Sequence, residues 1–260
     1  MTAYIGAINF LDDAIITTNK TMSPGFPIEN SVDYKTATSA KYGDTSTGGW
    51  NILFDLGVFK VPDYVGIVGF RGQTSGAEIR VSWSNVAGAG PWTDILTYPL
   101  SNRSEKDRYN VFFRTLTAPP GGKRYWRVRI TNSSPGDIIS HISLGTVTAC
   151  KPIGTGFRPP IYEHYDSINA QSNAANYLGR SIKRKPMDLT IKQQGITSSE
   201  LRANWVPFLE HTARKPFFFS WDYENYADEA VYCWTEKPQQ PVYNSLCSAS
   251  INLKVKAIIK

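Results

Sequence analysis

The sequence predicts an all-β chain of two sandwiches, the first a jelly roll and the second a sandwich with one helix. Three observations support this fold class. Short segments that alternate between apolar and polar residues recur between residues 50 and 144, and turn residues separate them. The 20 Gly, 16 Pro and many aromatic residues favour short strands over long helices. One segment, which follows Thr197, has the apolar spacing of a helix.

The first predicted domain, residues 1–155, is a series of short strands. They are bounded by turns such as Pro119–Gly122 and Ser134–Asp137. The predicted strands are Trp50–Gly57, Tyr64–Phe70, Ala77–Trp83, Tyr125–Thr131 and Ile139–Leu144. Many short strands at this spacing are typical of a sandwich or jelly roll.

Residues 156–182 are predicted to be a linker, and residues 183–260 a second domain. Prolines near residue 160 favour an extended chain, which buries little surface. The second domain begins with a predicted strand at Met187–Ile191. The pattern Thr197-Ser-Ser-Glu200 is a capping box before the helix, and Pro207 predicts a kink or two short helices.

Three further strands complete the second domain: Pro216–Trp221, Val231–Trp234 and a last one over Ile251–Ile259. In the last strand Ile251, Leu253 and Val255 lie on one face. Asn252 and two lysines lie on the other, a pattern that is typical of a half-buried strand and that also fits an edge strand.

Charge and composition exclude several classes of protein. The net charge is +6, but the compact basic run Arg180–Lys185 is predicted to be a solvated loop, so we expect no nucleic-acid binding. No apolar run approaches about 18 residues, so we expect no membrane insertion. The three cysteines, Cys150, Cys233 and Cys247, form no framework, and the N-terminus has no signal-peptide pattern. We therefore expect free thiols and assembly in the cytoplasm.

The sequence predicts no catalytic site, no metal site and no cofactor. The three histidines, His141, His164 and His211, have no nucleophile at a recognisable spacing. Four carboxylates between residues 222 and 229 lie among aromatic residues, as acids in sugar-cleaving clefts do. They share one short link, however, whereas paired acids must face each other across a substrate. These carboxylates are Asp222, Glu224, Asp228 and Glu229.

Residues 20–150 resemble the galactose-binding-like, or discoidin-type, jelly roll. Three segments match that family in order: Trp50–Gly57 with its Asp-Leu-Gly turn, Ile79–Trp83 followed by Trp92, and Arg124–Ile130. The resemblance implies a sandwich whose loops at one end bind sugars, lipids or proteins. It makes Tyr42 and Trp92 possible glycan-contact residues.

Residues 180–260 resemble the distal tail (baseplate hub) proteins of long-tailed bacteriophages. The match rests on Leu201…His211, on Lys215–Trp221, on Tyr232-Cys-Trp234 and on the alternating last strand. The resemblance implies a ring-forming sandwich, six copies of which continue the tail tube and hold the baseplate.

Two functions follow from these resemblances. The first is a structural, non-enzymatic component of a phage tail tip, located in the virion, whose partners are copies of itself, the tail tube protein and baseplate proteins. The aromatic segments are predicted to be too large for a sandwich of about 100 residues to bury alone, which supports an exposed assembly face. The interface residues are predicted to be Phe217, Phe218, Phe219, Trp221, Tyr232, Trp234, Leu253 and Val255. The alternative is an adhesion protein that binds a host surface glycan through its jelly roll.

Overall fold

The computed structural model describes residues 2–44, 48–71, 76–88, 90–99, 111–117, 119, 121–151, 153, 157–160, 164–171, 177–245 and 248–258. Over these residues the strands are β1 (Ala3–Asn9), β2 (Ile15–Thr18), β3 (Ala40–Lys41), β4 (Gly48–Lys60), β5 (Tyr64–Val68), β6 (Glu78–Ser84), β7 (Thr93–Pro99), β8 (Val111–Thr115), β9 (Lys123–Ser133), β10 (Ile138–Ile139), β11 (His141–Cys150), β12 (His164–Gln171), β13 (Tyr177–Lys185), β14 (Met187–Thr197), β15 (Phe217–Ser220), β16 (Ala230–Thr235), β17 (Val242–Ser245) and β18 (Ser248–Ile258). The predicted all-β class is confirmed.

The N-terminal sandwich consists of two sheets that enclose an apolar core. In the described part of the chain, one sheet has five strands in the order β2-β4-β9-β6-β7. It packs on β11, β5 and β8, which belong to the second sheet. Alternate residues point inward because the side chains of a strand have a period of two. Trp50, Trp126 and Ile79 are thus fully buried on neighbouring strands, as the alternating segments predict.

The second sheet joins the two halves of the sequence. Its main path runs β14-β18-β16-β15-β1-β11-β5-β8. Strand β1 lies in the middle and pairs with β11 on one edge and with β15 on the other. Strands of both predicted domains therefore form one continuous hydrogen-bonded sheet.

The main sheet curls so that β16 comes close to β8. Aromatic side chains from β5, β8, β15 and β16 fill the space inside this curl, which we call the half-barrel interior. The Phe218 ring lies directly on Gly66, where an added Cβ would be 2.5 Å from it. A glycine in a strand commonly marks such a close approach. The interior residues are Tyr64, Val68, Val111, Phe113, Phe218, Ala230 and Tyr232.

A helix packs against the opposite face of β14, β15, β16 and β18. This helix comprises α1 (Ser198–Glu200), a π-helical turn over Leu201–Trp205, and α2 (Val206–Thr212). The predicted capping box is present, because the Thr197 side chain accepts from the Glu200 amide and Glu200 accepts from the Thr197 amide. Trp205 and Phe208 are buried against the sheet.

Three sequence-based expectations need correction. The segment predicted to be a linker contains the antiparallel hairpin β12–β13, and the run predicted as a basic loop, Arg180–Lys185, lies in β13. The last strand, β18, is not at an edge, because it pairs with β14, β16 and β17. Its lysines occupy the exposed face of an internal strand.

Candidate functional site

The residues predicted to form an assembly interface lie in the interior of the chain. Seven of the eight are at most 9% exposed, and Trp234 is half-buried. Phe218 and Tyr232 fill the half-barrel interior, whereas Phe217, Phe219, Leu253 and Val255 pack beneath the helix. The expectation that the aromatic segment is too large to bury is wrong, because both faces of β15 are covered by the chain itself.

The carboxylates of residues 222–229 form hydrogen bonds and an ion pair with other residues of the chain. Asp228 forms an ion pair with Arg114 of β8 and accepts a hydrogen bond from Tyr98 of β7 at 3.0 Å. Glu229 accepts from the indole of Trp221 at 2.8 Å. Asp222 accepts from Asn225, and Glu224 accepts from Thr2. Each carboxylate thus has a structural partner within the chain.

Two histidines and two cysteines are wholly or partly buried, namely His141, His211, Cys150 and Cys233. His141 is fully buried beside Tyr34 and Tyr232, with ring centroids 4.6 and 5.5 Å away. Burial lowers the pKa of His141 to about 3, so its ring is neutral at pH 7. Cys150 and Cys233 are buried free thiols, and Cys247 lies outside the described residues.

The two residues predicted for glycan contact differ in exposure. Tyr42 is fully buried and stacks on Trp50 with a centroid distance of 6.1 Å, so it offers no contact surface. Trp92 precedes β7 and is half-buried. The guanidinium of Arg127 lies 4.6 Å from the centroid of its ring. A side chain at Gly90 would come within 2.4 Å of that ring, so Gly90 and Arg127 together fix its position.

Trp92 borders the outward face of the five-stranded sheet, which is strongly polar. Strand register places Asn51, Arg129, Arg80 and Thr97 side by side across four strands. The adjacent row comprises Leu53, Arg127, Ser82 and Asp94. We call these two rows, together with Trp92, the arginine face.

Ion pairs order most of the arginine face. Asp94 lies 3.6 Å from both Arg80 and Arg127 and accepts a hydrogen bond from Ser82 at 2.5 Å. Arg80 also contacts Glu78 at 2.8 Å. These links fix the side chains in place, so the face is organised before any ligand arrives.

Three polar atoms of the arginine face remain unsatisfied. Asn51 Oδ1, Arg127 Nε and Arg129 Nε are buried and have no hydrogen-bond partner in the chain as described. Burial lowers the pKa of Arg127; Asp94 opposes this effect, and the neighbouring Arg129 and Arg80 add to it.

The sequence analysis singled out Trp92 but not the arginines beside it. The signal was present in the alternation of Arg124–Ile130, where Arg127 and Arg129 are two residues apart and so lie on one face. Their neighbours Arg80 and Asn51 come from other strands, and only the register brings them together.

The described residues contain neither a metal-binding cluster nor a membrane-spanning helix. No group of three or more His, Cys, Asp or Glu side chains there is arranged to hold a metal ion. Among the same residues, no helix is both long enough and apolar enough to cross a membrane.

No protein-family model matches the chain, and no curated protein matches it. Among solved structures, it is similar to chitosan-binding module 1 of a chitosanase/glucanase from Paenibacillus sp. IK-5, with 17% identity, 53% of this chain and 98% of that chain covered, and a TM-score of 0.43. It is also similar to a CBM32 module from Clostridium perfringens, at 21% identity and a TM-score of 0.39; the match covers 53% of this chain and 98% of that module. A third similar structure is the CBM32 module of AlyQ, solved with 4,5-unsaturated mannuronic acid. The identity is 19% and the TM-score 0.38, and the match covers 50% of this chain and 92% of that module.

The predicted role in a phage tail tip is corrected on the burial of the aromatic segment. That segment motivated the ring, and it lies in the core, so it offers no assembly face. The virion location was predicted from that role and stays a prediction.

Proposed function

We propose that the chain is a non-catalytic carbohydrate-binding protein and that its arginine face contacts the glycan. The observation that supports this most directly is the position of Trp92. Its indole is held against Arg127 at the edge of an open, polar sheet face. A sugar ring has an apolar C–H face and a rim of hydroxyls, so it fits an aromatic ring that is flanked by fixed donors and acceptors.

The neighbouring groups suit this role. Arginine supplies donors in a rigid planar fork. Because ion pairs already fix Arg80 and Arg127, these side chains lose little rotamer freedom when a ligand binds.

The test is binding of the purified protein to a panel of neutral and acidic polysaccharides, measured by affinity electrophoresis and calorimetry. We expect Trp92→Ala to weaken binding roughly tenfold or more, because a central aromatic contact is typically worth at least that factor. Tyr243→Ala is the matched control, since Tyr243 is 53% exposed on β17 and lies outside the arginine face. Absence of binding to every glycan, or equal binding by the two variants, would refute the proposal.

A further inference from the structure

Arg129 differs from the other arginines of the arginine face. Arg80 and Arg127 have carboxylate partners, whereas the Arg129 side chain makes no ion pair or hydrogen bond in the described part of the chain. A guanidinium stays charged at every physiological pH. Arg129 therefore presents a full positive charge without a counter-charge from the described residues.

The backbone makes room for this guanidinium. Gly49 lies beside it, and an added Cβ at that position would be 2.8 Å from Arg129 Nε and 3.1 Å from Nη2. Asn51 is the direct cross-strand neighbour of Arg129, and its Oδ1 is also unsatisfied. Because residue 49 is a glycine, the Arg129 guanidinium can lie this close to the backbone of β4.

The surrounding charge is positive. Arg127 lies two residues along β9, about 6.6 Å away on the same face, and Arg80 is the partner of Arg129 on β6. The described residues of this face include three arginines and two carboxylates, those of Glu78 and Asp94. One positive charge is therefore not balanced by a carboxylate. An anionic ligand is favoured at such a position, and a planar carboxylate suits the guanidinium fork.

We propose that the ligand is an acidic polysaccharide and that a uronate carboxylate on it accepts two hydrogen bonds from Arg129. This inference rests on the proposed glycan-binding function. The next sugar ring of the polysaccharide then contacts Trp92, because Arg127 lies between Trp92 and Arg129 on the same face. The site is thus specific for a polymer of charged sugars.

The test compares the parent protein on polygalacturonate and on its fully methyl-esterified form, which has the same backbone without the charge. We expect at least tenfold weaker binding to the ester, and a loss of roughly 10- to 100-fold for Arg129→Gln on the polyuronate, since a hydrogen-bonded charge pair is worth about that factor. Arg129→Lys keeps the charge but not the fork and should fall between. Arg202→Gln, an exposed arginine on the helix with the same charge change, should bind like the parent.

Several outcomes would overturn the inference. Equal binding to polyuronate and ester would leave a glycan-binding protein that is not specific for acid groups. Tighter binding to a sulfated galactan would assign the site to sulfate, and equal binding to single-stranded DNA of matched charge would make it a general polyanion site. No binding to any polysaccharide would remove the proposed function as well. Because the ester experiment uses the unaltered protein, the result does not depend on whether Arg129→Gln folds.

Discussion

The half-barrel interior and the arginine face use aromatic residues in opposite ways. In the interior, Phe218 contacts Tyr64, Phe113 and Tyr232 with centroid distances of 5.0–6.3 Å, and no ring is exposed. On the arginine face, a lone Trp92 lies beside a guanidinium and remains half-exposed. The dense aromatic run thus lies in a strand covered on both sides, whereas the isolated tryptophan after a glycine-rich turn stays partly exposed.

Strand position explains the difference. Strand β15 lies between β1 and β16, so Phe217 and Phe219 face the helix while Phe218 faces the half-barrel interior. A strand buried on both faces has a continuous apolar sequence. Trp92, in contrast, precedes β7, the last strand of its sheet in the described path.

The comparison is tested most strongly by Phe218→Ala. Removing a buried phenylalanine should lower the free energy of unfolding by about 3–5 kcal/mol, because the cavity beside Gly66 cannot collapse fully. Urea denaturation measures this change. Phe59→Ala is the control: Phe59 is 70% exposed, and its loss should change stability by only about 0.5 kcal/mol. Equal stability of the two variants would show that Phe218 is not a core residue.

A second prediction concerns pH and His141, which adjoins the half-barrel interior. The unfolded chain protonates this ring below pH 6.5, whereas the folded protein keeps it neutral down to about pH 3. Its contribution to stability is therefore full above pH 6.5 and decreases as the pH falls, by about 2 kcal/mol at pH 5.

His141→Phe should remove that decrease, so that the variant loses less stability than the parent between pH 7 and pH 5. Thermal unfolding at both pH values gives the comparison. Burial also lowers the pKa of His211, which adds pH dependence of the same sign to both proteins. Identical pH profiles for parent and variant would mean that water reaches the His141 ring.

The smallest expected effect is that of Trp92→Ala on stability. The variant loses one cation–π contact with Arg127 and little buried surface, so the free energy of unfolding should fall by only about 0.5–1 kcal/mol. Urea denaturation of the parent and of Trp92→Ala measures this difference in the free energy of unfolding. A loss of stability as large as that of Phe218→Ala would show that Trp92 is a core residue. Weaker glycan binding by Trp92→Ala would then reflect the damaged fold and not a lost contact.

Much of the fold could be predicted because local periodicity determines it. Alternation identified β4, β6 and β9, and the pattern at Thr197 and Glu200 identified the start of the helix. The short strands β2, β3 and β10 have only two to four residues and too little periodicity to detect. The role of β1 was also hidden, because its pairing with β15 depends on residues more than 200 positions away.

The site was less predictable than the fold. Trp92 and Arg127 are visible in the sequence, but their contact depends on the register between β6, β7 and β9. Tyr42 was wrongly expected at the surface, because nothing local shows that its ring stacks on Trp50. Burial of a single aromatic residue is decided by tertiary packing, which a short sequence window does not contain.

During synthesis on the ribosome, β1 emerges long before the strand that pairs with its second edge. Its partner β11 is complete at Cys150, whereas β15 ends at Ser220, roughly 70 residues later. At translation rates of about 5–20 residues per second, this interval lasts roughly 4–14 s. Over that time the nascent chain has an open strand edge, which is a template for pairing with other chains. The order of synthesis, and not the finished fold alone, therefore determines how long this protein is exposed to aggregation.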